Sequence, residues 1–98
     1  MKTDFHIVFN IKTAEGFESY GRFFIGNDLK FAYNLFSNLK GNEGIKEDDL
    51  LQLDLVETKD GLPVSIKVIS CTLKELATNC KIITKEVFKL LNLEEMNS

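Results

Sequence analysis

Several residue types are scarce in this chain, and each scarcity removes a class of function. Among 98 residues there is a single arginine (Arg22), a single proline (Pro63), a single histidine (His6), no tryptophan and two cysteines. With one histidine a closed structural zinc site lacks ligands. Cys71 and Cys80 are too far apart for a C-x-x-C redox pair or a zinc half-site. No metal or cofactor is therefore expected. Apolar runs stop at three residues, as at Ile7 to Phe9 and Phe23 to Ile25, where a membrane-spanning helix needs about 20. The opening MKTDFHIVFNIKT alternates polar with apolar residues, where a signal peptide needs a continuous apolar block of about 7 to 15. These absences point to a cytoplasmic protein with no membrane partner. The net charge of −3 and sequence pI of about 5.1 leave no source for the phosphate attraction that dominates non-specific nucleic-acid binding. Eleven lysines beside one arginine are the usage of an AT-rich bacterial genome.

What is present is ordinary globular material, 44% apolar and 28% charged, enough for one domain over residues 1–98 with one modest core. Phe5, Ile7, Phe9 and Ile11 alternate with His6, Val8, Asn10 and Lys12, the period of a half-buried strand. A second strand follows at about Phe17 to Ile25. A three-residue loop, Ala14-Glu15-Gly16, sets Phe5 against Ile25, Ile7 against Phe23, Phe9 against Gly21 and Lys12 against Glu18, whereas a shorter loop at Glu15-Gly16 puts Arg22 on the apolar face. In the second hairpin Asp60-Gly61 suits a two-residue turn, pairing Leu55 with Ile66, Leu53 with Val68, Leu51 with Ser70 and Asp54 with Lys67. Pro63 cannot donate a ladder hydrogen bond and assigns its strand to a sheet edge.

Between the hairpins a helix is expected, capped by Asn27 and stopped by Gly41, with Leu29, Ala32, Phe36 and Leu39 as its stripe. Thr72 and Glu75 form a capping box for a second helix whose core face is Leu73, Leu76, Ala77 and Cys80, and Thr84 caps a third bearing Val87, Phe88, Leu90 and Leu91. The segment Asn42 to Asp49 reads as a charged surface loop. The expected fold is α+β: a two-layer sandwich in the order ββαββαα, with a four-stranded antiparallel sheet from two hairpins and helices on one face. Sheet order stays open. The two ββα units, about 3–41 and 49–95, overlay at an offset of 45, which sets TAEGF at Thr13 against TKDGL at Thr58 as an internal repeat plan.

Little here carries chemistry. The stretch ESYGRFFIGND invites comparison with an RNA-recognition strand, but aligned on Tyr20-Gly21 the basic position holds Glu18 and an aromatic position holds Arg22. Gly26-Asn27-Asp28 stands where a phosphate loop needs Gly-Lys-Ser or Gly-Lys-Thr, and its aspartate repels anions. His6 lacks an orienting carboxylate for general-base work. Cys71 and Cys80 read as small buried hydrophobes, and the acidic clusters Glu47-Asp48-Asp49 and Glu94-Glu95 as solvated charge without EF-hand spacing. No catalytic residue is assigned.

The outward sheet face stands above this background. It should carry His6, Val8, Asn10, Tyr20, Arg22 and Phe24 from one hairpin and Gln52, Asp54, Val56, Ser65, Lys67 and Ile69 from the other. Aromatics beside the sole arginine are the composition that interfaces favour. The function expected is that of a non-enzymatic protein-interaction domain, a homo-oligomer or the partner of another protein, self-associating through the outward sheet face, an edge strand or the surplus apolar side of the helix from Leu29 to Leu39, with Val8, Tyr20, Arg22, Phe24 and Ile69 as interface residues. The alternatives are a small-molecule-binding protein or minor enzyme with a pocket near His6, Tyr20, Arg22 and Cys71, and a weak RNA contact through Tyr20 and Phe24.

Overall fold

The computed structural model describes residues 2–43 and 50–96, with side chains described as far as Lys89. Its elements are β1 (Thr3–Thr13), β2 (Gly16–Gly26), α1 (Leu29–Ser37), β3 (Leu51–Lys59), β4 (Leu62–Cys71) and α2 (Leu73–Met96). The fold is α+β, with the four strands in one antiparallel sheet of order β2-β1-β3-β4. The hairpins join through their first strands, Ile7 opposite Leu55 and Phe9 opposite Leu53. β4 is thus an edge, the place a strand containing Pro63 requires. The order is ββαββα, not ββαββαα. No glycine or proline interrupts the chain after Leu73, so α2 continues through Thr84 as one helix and Thr84 caps nothing.

Both hairpins depart from simple pairing at the same point. Each runs four pairs from its turn, Thr13↔Gly16 to Asn10↔Ser19 and Lys59↔Leu62 to Val56↔Ser65, and each then skips one residue of its second strand. The skipped residues are Tyr20, where pairing resumes at Phe9↔Gly21, and Ile66, where it resumes at Leu55↔Lys67. A bulge inserts one unpaired residue and reverses which face the rest of the strand presents. By this pairing Thr13 corresponds to Lys59 and Phe9 to Leu55, one residue more than the offset that aligns the two glycines. Gly16 closes its turn, whereas Gly61 lies inside one with Asp60, both at positive φ as a two-residue hairpin turn needs.

The bulges correct several expected pairs. Ile7↔Phe23 and Phe9↔Gly21 are present, but Phe5 faces Gly26 because a second bulge releases Ile25, and Lys12 faces Phe17 while Glu18 faces Ile11. In the other hairpin Leu53 faces Ile69, Leu51 faces Cys71 and Asp54 faces Val68. Lys67 moves to the core side, where its ammonium lies 5.1 Å from the Tyr33 ring.

One buried cluster unites Phe5, Ile7, Leu53, Leu55 and Ile25 of the strands with Ala32, Leu35 and Phe36 of α1, Leu39 and Ile83 of α2. The cap of α1 is Asp28, not Asn27: its carboxylate accepts from the amides of Lys30 and Phe31. The helix ends at an Asn38 C-cap, earlier than the expected stop at Gly41. The Thr72 capping box forms as expected, Thr72 Oγ1 accepting from the Glu75 amide at 3.1 Å and the Glu75 carboxylate from the Thr72 amide at 2.9 Å. The expected core face of α2 is kept only in part, with Leu76 packed against the core and Cys80 half-buried. Leu73 is 75% exposed and Ala77 is exposed, while Asn79 and Ile83 are buried.

The cause is polar. Asn79 is fully buried and reads both backbone groups of Lys40: its Oδ1 accepts from the Lys40 amide at 2.7 Å and its Nδ2 donates to the Lys40 carbonyl at 2.8 Å. Two residues on, Asn42 and Ser70 exchange a pair of backbone hydrogen bonds of 2.8 Å. Gly41 sits between these ties at φ +155°, and a Cβ there would lie 2.5 Å from the Ser70 carbonyl oxygen. The chain leaving α1 is thereby fastened to both α2 and β4. Residues 44–49, including Glu47-Asp48-Asp49 and most of the expected charged loop, lie outside the described residues, as do the side chains of Leu90, Leu91, Glu94 and Glu95. Asn79→Leu is expected to lower stability by about 1–3 kcal/mol, because it strands two backbone groups, and Gly41→Ala to destabilise through a backbone clash. Urea unfolding of both variants measures this, and unchanged midpoints would remove the fastening argument.

Candidate functional site

Residues directly opposite one another on neighbouring strands share a face, so pairing sorts the outward face into rows centred on β1. Val8 lies between Arg22 on β2 and Asp54 on β3. His6 lies between Phe24 and Val56, and Asn10 between Ser19 and Gln52. One row is therefore cationic, apolar and anionic in turn, the next aromatic and apolar, and the third neutral polar.

Asp54 is held firmly. Its Oδ1 accepts from Asn10 Nδ2 at 3.2 Å and Gln52 Nε2 at 3.0 Å, and its Oδ2 from Ser65 Oγ at 3.0 Å. Donors from three strands fix the carboxylate in the middle of the face without neutralising it. Two columns away, Arg22 makes no ion pair among the described residues, whose salt bridges join Lys59 to Glu57 and Lys89 to Glu86. Phe24 is 57% exposed, with its ring centroid 5.3 Å from that of His6 at an interplanar angle of 55°. Beside them is a shallow depression of about 160 Å³ whose wall includes His6, Val8, Arg22, Val56, Thr58 and Pro63.

Burial pushes the His6 imidazole below its usual pKa, the Arg22 charge adds to this, and Asp4 opposes it. His6 is accordingly neutral at neutral pH.

The structure brings His6, Val8, Arg22 and Phe24 together as expected and separates them from the other candidates. Tyr20 occupies the bulge, 61% exposed, and its hydroxyl donates to Glu18 Oε2 at 3.3 Å. Since Glu18 faces Ile11, which packs on the core, Tyr20 leans away from Arg22 and Phe24 and toward an acid. Ile69, expected to face outward, is 8% exposed within the core opposite Leu53, a correction that follows from the Ile66 bulge. Cys71 is buried opposite Leu51, five positions along β3 from the Val56 that faces His6. The pocket joining Cys71 to His6, Tyr20 and Arg22 is not assembled. Burial, with Glu75 and Cys80 adding to it, pushes the Cys71 thiol up to about 11, and burial also raises Cys80. Protonated thiols are weak nucleophiles and weak metal ligands.

The convergence on Asp54 escaped the sequence reading. Asn10, Gln52, Asp54 and Ser65 all read as outward, but the contact of Asn10 with Asp54 depends on the β1–β3 pairing, which the sequence leaves open. Among the described residues no group of three or more His, Cys, Asp or Glu side chains is placed to hold a metal, and no helix is long and apolar enough to cross a membrane. Comparison with protein-family models, curated proteins and solved structures returned no match.

A lowered histidine pKa makes the unfolded chain the stronger proton binder, so stability is fully present above the ordinary histidine value near 6.5 and declines as pH falls below it toward the depressed folded value. His6→Gln is expected to flatten that slope in denaturant titrations between about pH 7 and pH 5. An unchanged slope would mean that His6 does not titrate differently on folding.

Proposed function

We propose that this chain is a small non-enzymatic interaction domain acting in the cytoplasm, built as a two-layer sandwich with its helices on the core face, and that it self-associates through the outward sheet face. What supports the reading is one coincidence: exposed Phe24, an Arg22 guanidinium without an ion-pair partner among the described residues, and the depression beside them share one face. Water contact with an aromatic ring is unfavourable by roughly 25 cal/mol per Å² of apolar surface. A second surface laid on Phe24 recovers that energy, and Arg22 then sets orientation through directional hydrogen bonds. Among the described residues no hydrogen bond orients the His6 ring toward a carboxylate, although Asp4 is near enough to raise its pKa, and this favours binding over catalysis.

Sedimentation velocity at high micromolar concentration tests this. Wild type is expected to sediment as a dimer, and Phe24→Glu to weaken association at least about 10-fold, as loss of a central aromatic anchor does. A clean wild-type monomer, or a dimer indifferent to Phe24→Glu, would sink the proposal.

A further inference from the structure

The three central rows of the outward face, those of His6, Val8 and Asn10, are self-complementary about β1, and from this we infer the geometry of the dimer: a second copy packs face to face on a two-fold axis running along β1, with Arg22 of each chain meeting Asp54 of the other. The inference rests on the self-association reading and supplies its register. A two-fold axis along a strand preserves position along the strand and exchanges the columns on either side. Column β2 of one copy therefore lies over column β3 of its partner.

The three rows respond consistently to this operation. Arg22, Val8 and Asp54 form one row, so the exchange lays guanidinium over carboxylate twice, with Val8 against its own counterpart at the centre. Phe24, His6 and Val56 form the next, so aromatic meets aliphatic. Ser19, Asn10 and Gln52 form the third, so neutral polar groups meet. An axis between β1 and β3 instead sets Asp54 against Val8 and Arg22 against Val68, leaving four charges facing apolar groups. The charge pattern selects the first axis.

Two further observations fit. Over the β3 column of the partner, Phe24 arrives at the depression of about 160 Å³ whose wall includes His6, Val8, Arg22, Val56, Thr58 and Pro63. Val8, Val56 and Pro63 in its wall give the ring apolar contact. Asp54 is already oriented by Asn10, Gln52 and Ser65, so little ordering cost remains when the arginine arrives. Face-to-face sheets lie about 10 Å apart and cross at about 30°, so the axis bisects the angle between the two β1 strands where they cross. Val8 sits at the crossing point, where rows stay aligned. Only three columns overlap, which belongs with small, weak interfaces.

The test is charge exchange read by sedimentation velocity. Arg22→Asp and Asp54→Arg are each expected to weaken self-association at least about 10-fold, through like-charge contacts. Mixed in equal amounts, the two variants are expected to regain most of the lost association, because every carboxylate of one chain then meets a guanidinium of the other. Circular-dichroism melts establish that each variant folds. Should Asp54→Arg fail to fold, Val8→Cys supplies a second readout: a short bis-maleimide should join the two copies at the axis in high yield, above the wild-type background from Cys71 and Cys80. If Phe24→Glu dissociates the dimer while the mixture gains nothing or Val8→Cys does not cross-link, this register is wrong and self-association stands. A wild-type monomer overturns both.

Discussion

The pairing of β1 with β3 is the constraint on which the rest depends. An isolated two-stranded hairpin is marginal in water, and each hairpin here has one apolar side with nothing in its own strands to cover it. Running antiparallel from Thr3↔Lys59 to Ile11↔Leu51, the two first strands merge the apolar sides into one surface. Phe5, Ile7, Leu53 and Leu55 then join residues of both helices in one buried cluster. The same pairing decides the opposite face, because it brings Asn10 of one hairpin within reach of Asp54 of the other and puts Val8 between the sheet's outward arginine and that carboxylate.

How much of this can be read from the sequence depends on the range of the interaction. Alternation located all four strands, and Asp60-Gly61 located its turn, since these are properties of neighbouring residues. The bulges at Tyr20 and Ile66 are invisible to such a reading, yet each moves a strand by one residue. In the first hairpin the error cancels, because a loop taken one residue too long compensates for the bulge and Ile7↔Phe23 comes out right. In the second hairpin the turn is read correctly and nothing compensates. Ile69 and Lys67 are consequently assigned to the wrong faces. One residue of register is enough to make a core isoleucine read as an interface residue.

Helix α2 shows a different failure. Leu73, Leu76, Ala77 and Cys80 make a plausible stripe by period alone, but burying it would carry Asn79 away from Lys40. The two hydrogen bonds that Asn79 makes to the Lys40 backbone satisfy groups for which the chain after α1 offers no other partner in the hydrogen bonds described, and a hydrophobic pattern assigns no weight to a buried amide. Leu73 is left in water as a result. The periodicity identified the helix correctly and its orientation only in part, because orientation was decided by a polar residue.

The outward face combines these lessons. A sheet face that was uniformly apolar would associate in many registers, since hydrophobic burial is non-directional. One that was uniformly charged would not associate at all. Here Arg22 and Asp54 stand on either side of Val8, with the anion clamped by three donors and an exposed ring in the adjoining row. Charges in such a setting discriminate between arrangements more than they add affinity, because any register that leaves them unpaired must desolvate them without return. In the proposed dimer Phe24 would provide attraction with little orientation, and Arg22 and Asp54 orientation with little net attraction. Neither element would define a specific contact alone, and it is the β1–β3 pairing that sets them on one face, one strand apart from the same valine.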